Sequence, residues 1–163
     1  MAIRTIGEEL AADETNQSFA VFQVEVEGTP RNLQPILRDE VYRLAGEALR
    51  NAFWHAQARR IEVEIRYDEK QFRLRVRDDG KGIDPKVLGE EGREGHYGLH
   101  GMRERAKLVG GKVAVWSKRY SGTEVELTIP ASIAYATATR RHSWLSEKLS
   151  AKETDVKETG LKS

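Results

Sequence analysis

Three groups of residues have types and spacings suited to chemistry. Glu47, Asn51 and His55 are four apart, which stacks them on one face of a helix. Their stripe borders the apolar positions of the same segment, so it forms a polar wall beside a core. The amide oxygen of Asn51 is a hard ligand suited to Mg2+, which prefers oxygen donors and keeps several waters. A solvated helix flank carrying an i, i+4 pair explains the same spacing. The second group is Asp78 and the glycines after it. Phe72, Leu74 and Val76 share a parity on one strand, and Asp78 is the next residue of that parity. The pattern therefore aims a carboxylate at the buried face, where a charge is costly unless something donates to it. The exocyclic amine of a purine is one donor. The backbone N–H groups of its own Asp78-Asp79-Gly80 turn are the other. Gly80 and Gly82 permit positive φ and a close approach of a ligand to the backbone. The third group runs from Gly95 to Met102, a glycine-rich loop entering a helix. Bare N–H groups at a helix start attract phosphate, although glycines also serve plain turns. No Gly-Lys-Ser/Thr follows, so this is not a Walker A loop. The His-Arg-Asp and Asp-Phe-Gly signatures of protein kinases are missing as well.

The elements that must position these groups are legible from periodicity. Residues 1–17 are polar with a fading helical pattern at Ile6 and Leu10, read as a frayed helix end or linker. Ser18 to Val26 alternates as a strand through Phe19, Val21, Val24 and Val26, and Gly28-Thr29-Pro30 stops it. Pro35 opens the strongest helix, with apolar residues at Leu37, Val41, Leu44, Ala45, Ala48, Leu49, Ala52, Phe53 and Ala56. Residues 60–67 and 71–77 alternate as two strands around the Asp68-Glu69-Lys70 turn. Asp84-Pro85 has the form of an N-cap and first helical position. Residues 89–98 read as a mobile loop. Residues 99–109 form a helix with Leu99, Met102, Ala106 and Val109 inward, ended by Gly110-Gly111. Strands 112–117 and 123–130 follow. The pattern dissolves near residue 134. The composition of the 134–163 tail predicts disorder, with at most a short helix around Trp144 and Leu145. The order predicts an α+β, two-layer sandwich: a mixed, mainly antiparallel sheet covered on one face by helices.

Composition narrows the functional classes. The 163 residues contain no cysteine, which excludes disulfides, thiolate metal sites and a cysteine nucleophile. Lys+Arg 27 against Asp+Glu 26 leaves a net charge of +1, so no whole-chain basic field marks a nucleic-acid binder. Arg73, Arg75 and Arg77 do form an outward basic stripe, read as a solvated sheet face balanced by Glu62 and Glu64. No apolar run reaches the ~18 residues of a membrane helix, and the N-terminus lacks a signal-peptide core. The chain reads as an intracellular protein or a cytoplasmic piece of a larger one, without membrane contact.

The three groups together have a family likeness. Glu47 to Ala56 (EALRNAFWHA) resembles the N box of the ATPase domain of two-component sensor histidine kinases. Asp78-Asp79-Gly80-Lys81-Gly82 resembles its G1 box, and Gly95 to Met102 with Arg103-Glu104-Arg105-Ala106 resembles its G2 box. Gly122-Thr123 is similar to the last nucleotide-facing turn. The likeness covers about residues 18–130 and is nearest to the nitrate-sensor-type branch of a superfamily that includes gyrase, MutL and the heat-shock chaperone ATPases. It implies a Bergerat fold in residues 18–133 that binds ATP and Mg2+. By that resemblance Asp78 binds the adenine amine, with Thr123 helping through water, and Asn51 holds Mg2+ on the phosphates. Glu47 lies beside the metal site and orients water or the nucleophile, and His55 lies near the phosphates or the lid. Gly80 and Gly82 line the base pocket. Gly98, Leu99 and Gly101 offer backbone to the phosphates, and residues 83–97 form the ATP lid.

Such kinases pass the γ-phosphate to a histidine on a separate dimerisation helix. None of His55, His96, His100 and His142 has the His-Asp/Glu context of that acceptor. The resemblance therefore implies a catalytic fragment, with residues 1–17 the remnant of a connection to an absent phosphoacceptor domain. Its partners would be that domain and, downstream, a response regulator. The fragment is expected to be a monomer that does not phosphorylate itself. Two other readings are a stand-alone serine kinase of the anti-sigma-factor type and a degenerate interaction domain.

Overall fold

A computed structural model describes residues 2–13, 15, 18–86 and 98–136. The longest helix, α2 (Pro35–Trp54), starts with proline at its first position and buries Leu37, Val41, Leu44, Ala45, Ala48, Leu49, Ala52 and Phe53. Those residues form one continuous stripe at helical spacing, and the stripe faces a sheet. The sheet comprises β1 (Val21–Glu27), β2 (Arg60–Tyr67), β3 (Gln71–Asp78), β4 (Lys112–Lys118) and β5 (Gly122–Pro130), in the order β1-β2-β3-β5-β4. Only β1 and β2 are parallel, joined by the α2 crossover; every other pair is antiparallel. This is the mixed, mainly antiparallel two-layer architecture that the element order implies.

Period-two alternation decides the two faces of the sheet. Ile61, Val63 and Ile65, Phe72, Leu74 and Val76, and Val125, Leu127 and Ile129 point under α2 and are almost fully buried. The opposite face carries the arginine stripe. Arg75 lies 3.5 Å from Glu64 and 2.6 Å from Glu124, and Arg73 also pairs with Glu64. Glu62 pairs instead with Arg60, at 3.7 Å. The stripe is thus balanced from both neighbouring strands, with β5 supplying the carboxylates of Glu124 and Glu126.

Helix α3 (Leu99–Leu108) packs beside β4 through Leu99, Met102 and Ala106. It ends in a Schellman turn: Gly110, at φ 78, donates to the Lys107 carbonyl, and Gly111 donates to that of Ala106 at 2.8 Å.

Three boundaries differ from the pattern reading. The first strand starts at Val21, and its inward residues are Phe22 and Val24; Phe19 is 95 % exposed and Val21 and Val26 are exposed. As an edge strand it buries little of either face, so its alternation carries weak information. The segment read as a linker contains α1 (Ala2–Ala12), which lies on α2 and β1 with Ile3 and Gly7 buried. Gly7 packs against the Phe22 ring so closely that a Cβ there would run into it. At the other end, the short α4 (Ala131–Ala134) and Tyr135 belong to the packed fold. The Tyr135 hydroxyl donates to the Asp68 carbonyl at 2.9 Å and accepts from the Asp68 N–H at 3.0 Å. The short helix read around Trp144 and Leu145 lies outside the described residues.

Candidate functional site

The end of β3 runs out beneath the last turns of α2. There Asp78 is only 7 % exposed, the one buried charged residue among those described. Its carboxylate accepts from the Gly80 N–H at 2.9 Å and from the Thr123 backbone. Burial is the main influence on its acidity and pushes its pKa up to about 6, against the lowering effect of those two donors. No Lys or Arg pairs with it among the described residues. The turn reading of Asp78 is borne out by the Gly80 N–H, and the same residue also lines a pocket. A carboxylate offers about four acceptor sites, so two backbone donors leave room for a third.

That pocket gathers most of the residues singled out by sequence. Asn51 and His55 form its wall from α2, Asp78 and Gly82 its base, Leu99 its far side from α3, and Thr123 its edge from β5. Ala48, Ala56, Val76, Ile83 and Val125 supply an apolar lining. The arrangement sets one acceptor carboxylate and one side-chain amide among apolar residues, the mix of apolar lining and few polar groups typical of small-molecule pockets.

The glycines do several jobs. Gly80 does not line the pocket. A Cβ there would strike the Ala56 carbonyl, and this close approach lets the Lys81 N–H reach the same carbonyl at 2.8 Å. Its neighbour Asp79 accepts from Arg59 and Arg60 N–H at 2.8 and 2.9 Å, tying the turn to the start of β2. Gly82 needs its φ of 74 and faces the Lys118 carbonyl. Gly98, at φ 62, is the N-cap of α3 without a capping side chain. Gly101 is different: nothing lies closer to a Cβ there than Arg105 at 3.9 Å.

Sequence reasoning missed three participants. Gly122 was read as part of a nucleotide-facing turn but not for its backbone role: at φ 97 it lets the Asp78 carbonyl approach where a Cβ would sit. Ser117 hydrogen-bonds Thr123 Oγ1 at 2.8 Å and receives the Ile83 N–H at 2.7 Å, bracing both edges of the pocket. Arg105 Nη2 lies 2.6 Å from Glu47 Oε2. Glu47 is not among the pocket-lining residues; it lies on α2 one helical turn before Asn51, tied to α3 by Arg105. Residues 87–97 of the expected lid, with Gly95, His96 and Tyr97, lie outside the described residues, as does His142.

Comparison with known proteins decides the family. Residues 37–133 match the family described as histidine kinase-, DNA gyrase B-, and HSP90-like ATPase. The chain belongs to that ATPase family. Among its relatives, the sensor histidine kinase YdfH of Bacillus subtilis is 39 % identical over 93 residues, 56 % of this chain and 22 % of that protein. The sensor protein NarQ homolog of Haemophilus influenzae is 34 % identical over 104 residues, 63 % of this chain and 18 % of that one. In structure, the ATPase domain superimposes on the histidine kinase domain of the Erythrobacter litoralis EL346 blue-light activated kinase with a TM-score of 0.62. That superposition covers 80 % of this chain and 59 % of that one at 21 % identity, which establishes the shared fold. The chain spans only about a fifth of the length of these curated relatives. It is an ATPase domain of the kind that sensor histidine kinases carry. Among its described residues no helix is long and apolar enough to cross a membrane.

Proposed function

We propose that this domain binds ATP with Mg2+ in the Asp78 pocket and donates the γ-phosphate to a histidine on a separate phosphoacceptor domain. The observation that carries the reading is the buried Asp78 carboxylate, without a Lys or Arg partner among the described residues, in a pocket that Asn51 also lines. An adenine amine is the donor that such a carboxylate lacks, and Thr123, braced by Ser117, stands beside it. A ligand-free docking domain would have no use for an unpaired charge at that depth.

The donor set also fits Mg2+. No group of three or more Asp, Glu or His among the described residues forms a protein cage. Mg2+ suits one protein oxygen, phosphate oxygens and water, and Asn51 supplies that one oxygen. When bound, it would neutralise charge on the terminal phosphates. The chain's own residues hold the base at Asp78, present the α3 start at Gly98, Leu99 and Gly101, and place Glu47 and His55 on the α2 flank facing the phosphate end. The contribution is positioning and charge neutralisation. In this reading residues 18–133 are the catalytic domain and residues 1–17 lead toward the phosphoacceptor helix. The tail from 134 is an appendage, apart from the packed residues Ala134 and Tyr135. A response regulator acts downstream, the domain works in the cytoplasm, and alone it is a monomer.

The test is transfer in trans. The chain is mixed with γ-labelled ATP, Mg2+ and the separately produced dimerisation and phosphoacceptor domain of its parent kinase. Acid-labile label on that domain's histidine is the expected result. Label appearing on serine, or no transfer while nucleotide binds, would overturn the histidine-kinase reading.

A further inference from the structure

The packed layer between helices and sheet also opens at the end of the sheet away from Asp78. A cavity of about 250 Å3 lies there between α1, the first turns of α2 and the β2–β3 hairpin. Ile3, Leu33, Val41, Ile65 and Phe72 give it an apolar lining. Arg31 and Arg38 stand among them, and no lining residue is acidic. Arg31 lies over the Tyr135 ring and has no carboxylate partner among the described residues. Arg38 reaches only Asp39, at 3.9 Å and with both side chains well exposed. A cavity of ~150 Å3 already admits benzene, so this one has room for a larger ring. Its chemistry suits a large apolar side chain with a carboxylate nearby in the same segment.

The chain delivers such a segment to the cavity's rim. Leu33 bridges Tyr135, and the Ala136 N–H donates to the Asn32 carbonyl at 2.8 Å. Asn32 and Leu33 both line the cavity, so the chain continues into residues 137–163 from its edge. Trp144 is the only Phe, Trp or Tyr in that stretch. Leu145 follows it, and Glu147 comes soon after. The tether from Ala136 to Trp144 spans at most ~26–29 Å when extended. So short a tether keeps the indole near the cavity at an effective concentration on the order of millimolar.

We propose that Trp144 and Leu145 fold back into this cavity, with the Glu147 carboxylate meeting Arg31 at the rim. The cavity is walled by α1 through Ala2 and Ile3, and by the body of the domain through Val41 and Phe72. An occupant touching both walls ties α1 to the domain. Helix α1 buries only Ile3 and Gly7 by itself, so the tail supplies a second hold on it. The site is independent of the nucleotide pocket, and its test needs no nucleotide.

The test is fluorescence of the full chain carrying Trp54→Phe and Trp116→Phe. Both positions are about half exposed, and the two changes leave Trp144 as the only indole. Its emission should be blue-shifted, and its acrylamide quenching severalfold weaker, relative to the same chain unfolded in urea. Ala2→Phe plugs the cavity from an exposed position on α1 and should return both signals to the unfolded values. Arg31→Glu should weaken the protection. Each variant is checked for a native circular-dichroism spectrum. As a second readout, Trp144→Ser should lower the melting point by a few degrees in the otherwise native chain but not in Ala2→Phe, because touching residues are not additive. Trp144 as accessible in the folded chain as in urea overturns the proposal. Protection that survives Ala2→Phe puts the indole elsewhere and also overturns it. Protection that disappears on dilution assigns the cavity to the tail of a second copy and overturns the fold-back within one chain.

Discussion

Asp78 ionises at a cost, and that cost has a sign. Its pKa in the fold, about 6, lies above its ordinary value of 3.8, chiefly through burial. The folded state therefore holds the proton more tightly than the unfolded chain, and this residue's contribution to stability is lost as pH rises from about 4 to about 6. The loss is on the order of 2–3 kcal/mol. Asp78→Asn keeps an oxygen for the Gly80 N–H and removes the ionisation. Urea unfolding should show the variant at least as stable as wild type at pH 8, with a flatter pH dependence between 4 and 7. A variant less stable at pH 8 would mean that the negative charge supports the fold. Nucleotide affinity should run the other way, falling below pH 6 as the carboxylate becomes protonated and loses its acceptor role. Asp78 was legible from strand parity alone, because one residue's burial follows from its neighbours' alternation. Arg105 was not. It is an arginine on a polar helix flank, and its partner Glu47 is 58 residues away in sequence, so no local spacing announces the pair.

Among the elements, the turns at the sheet's end show which glycines are fold and which are site. Gly122 sits at φ 97 with the Asp78 carbonyl where a Cβ would go, so Gly122→Ala should destabilise by several kcal/mol through backbone displacement. Gly101 lies within α3 and has open space about it. Gly101→Ala should stabilise the domain by about 0.5–1 kcal/mol in chemical unfolding, because glycine is a poor helix former. The same substitution should weaken binding of the triphosphate by crowding the α3 start. Stabilisation with unchanged affinity would remove Gly101 from the site. The helices and inner strands could be read from sequence because each buries a periodic face: α2 by its long stripe, β2, β3 and β5 by strict alternation. The edge strand β1 was legible as a strand but not in its start or its inward residues, because neither of its faces is fully covered and Phe19 lies outside it. Helix α1 was also underestimated. Its one fully buried apolar side chain is Ile3, and the Ile6 and Leu10 that follow it are only partly buried against the core, so the stripe is weak in sequence. Ile3→Ala should cost about 2 kcal/mol in urea unfolding. A cost near zero would mean that α1 lies on the domain without supporting it.

At the scale of the whole molecule, one sheet face is covered by helices and the other is a lattice of Arg and Glu from β2, β3 and β5. The two ends of the described chain close the helical layer. Tyr135 anchors the C-terminal end under Arg31, whose guanidinium lies 3.9 Å from the ring centre, and Gln34 N–H meets the Ala134 carbonyl at 2.9 Å. Tyr135→Phe removes the hydroxyl that donates to the Asp68 carbonyl, while the Asp68 N–H keeps the Gln71 carbonyl at 3.1 Å, and should cost about 1 kcal/mol of unfolding free energy. Sequence placed this residue in the tail, since a single tyrosine among Ala and Thr has no periodic partner. Its contacts come from a hairpin some 65 residues earlier.

The central claim is that this molecule is built around a nucleotide pocket founded on Asp78. The most direct measurement is a thermal melt of the chain with and without Mg2+ and a non-hydrolysable ATP analogue, beside Asp78→Asn. Ligand that binds only the folded state stabilises it by about 2.7 kcal/mol at a hundredfold excess over Kd, roughly 10 °C for a domain of this size. The account predicts a rise of that order for wild type, reduced without Mg2+ and lost in Asp78→Asn. No shift of wild type at millimolar nucleotide, or an equal shift in the variant, would contradict it.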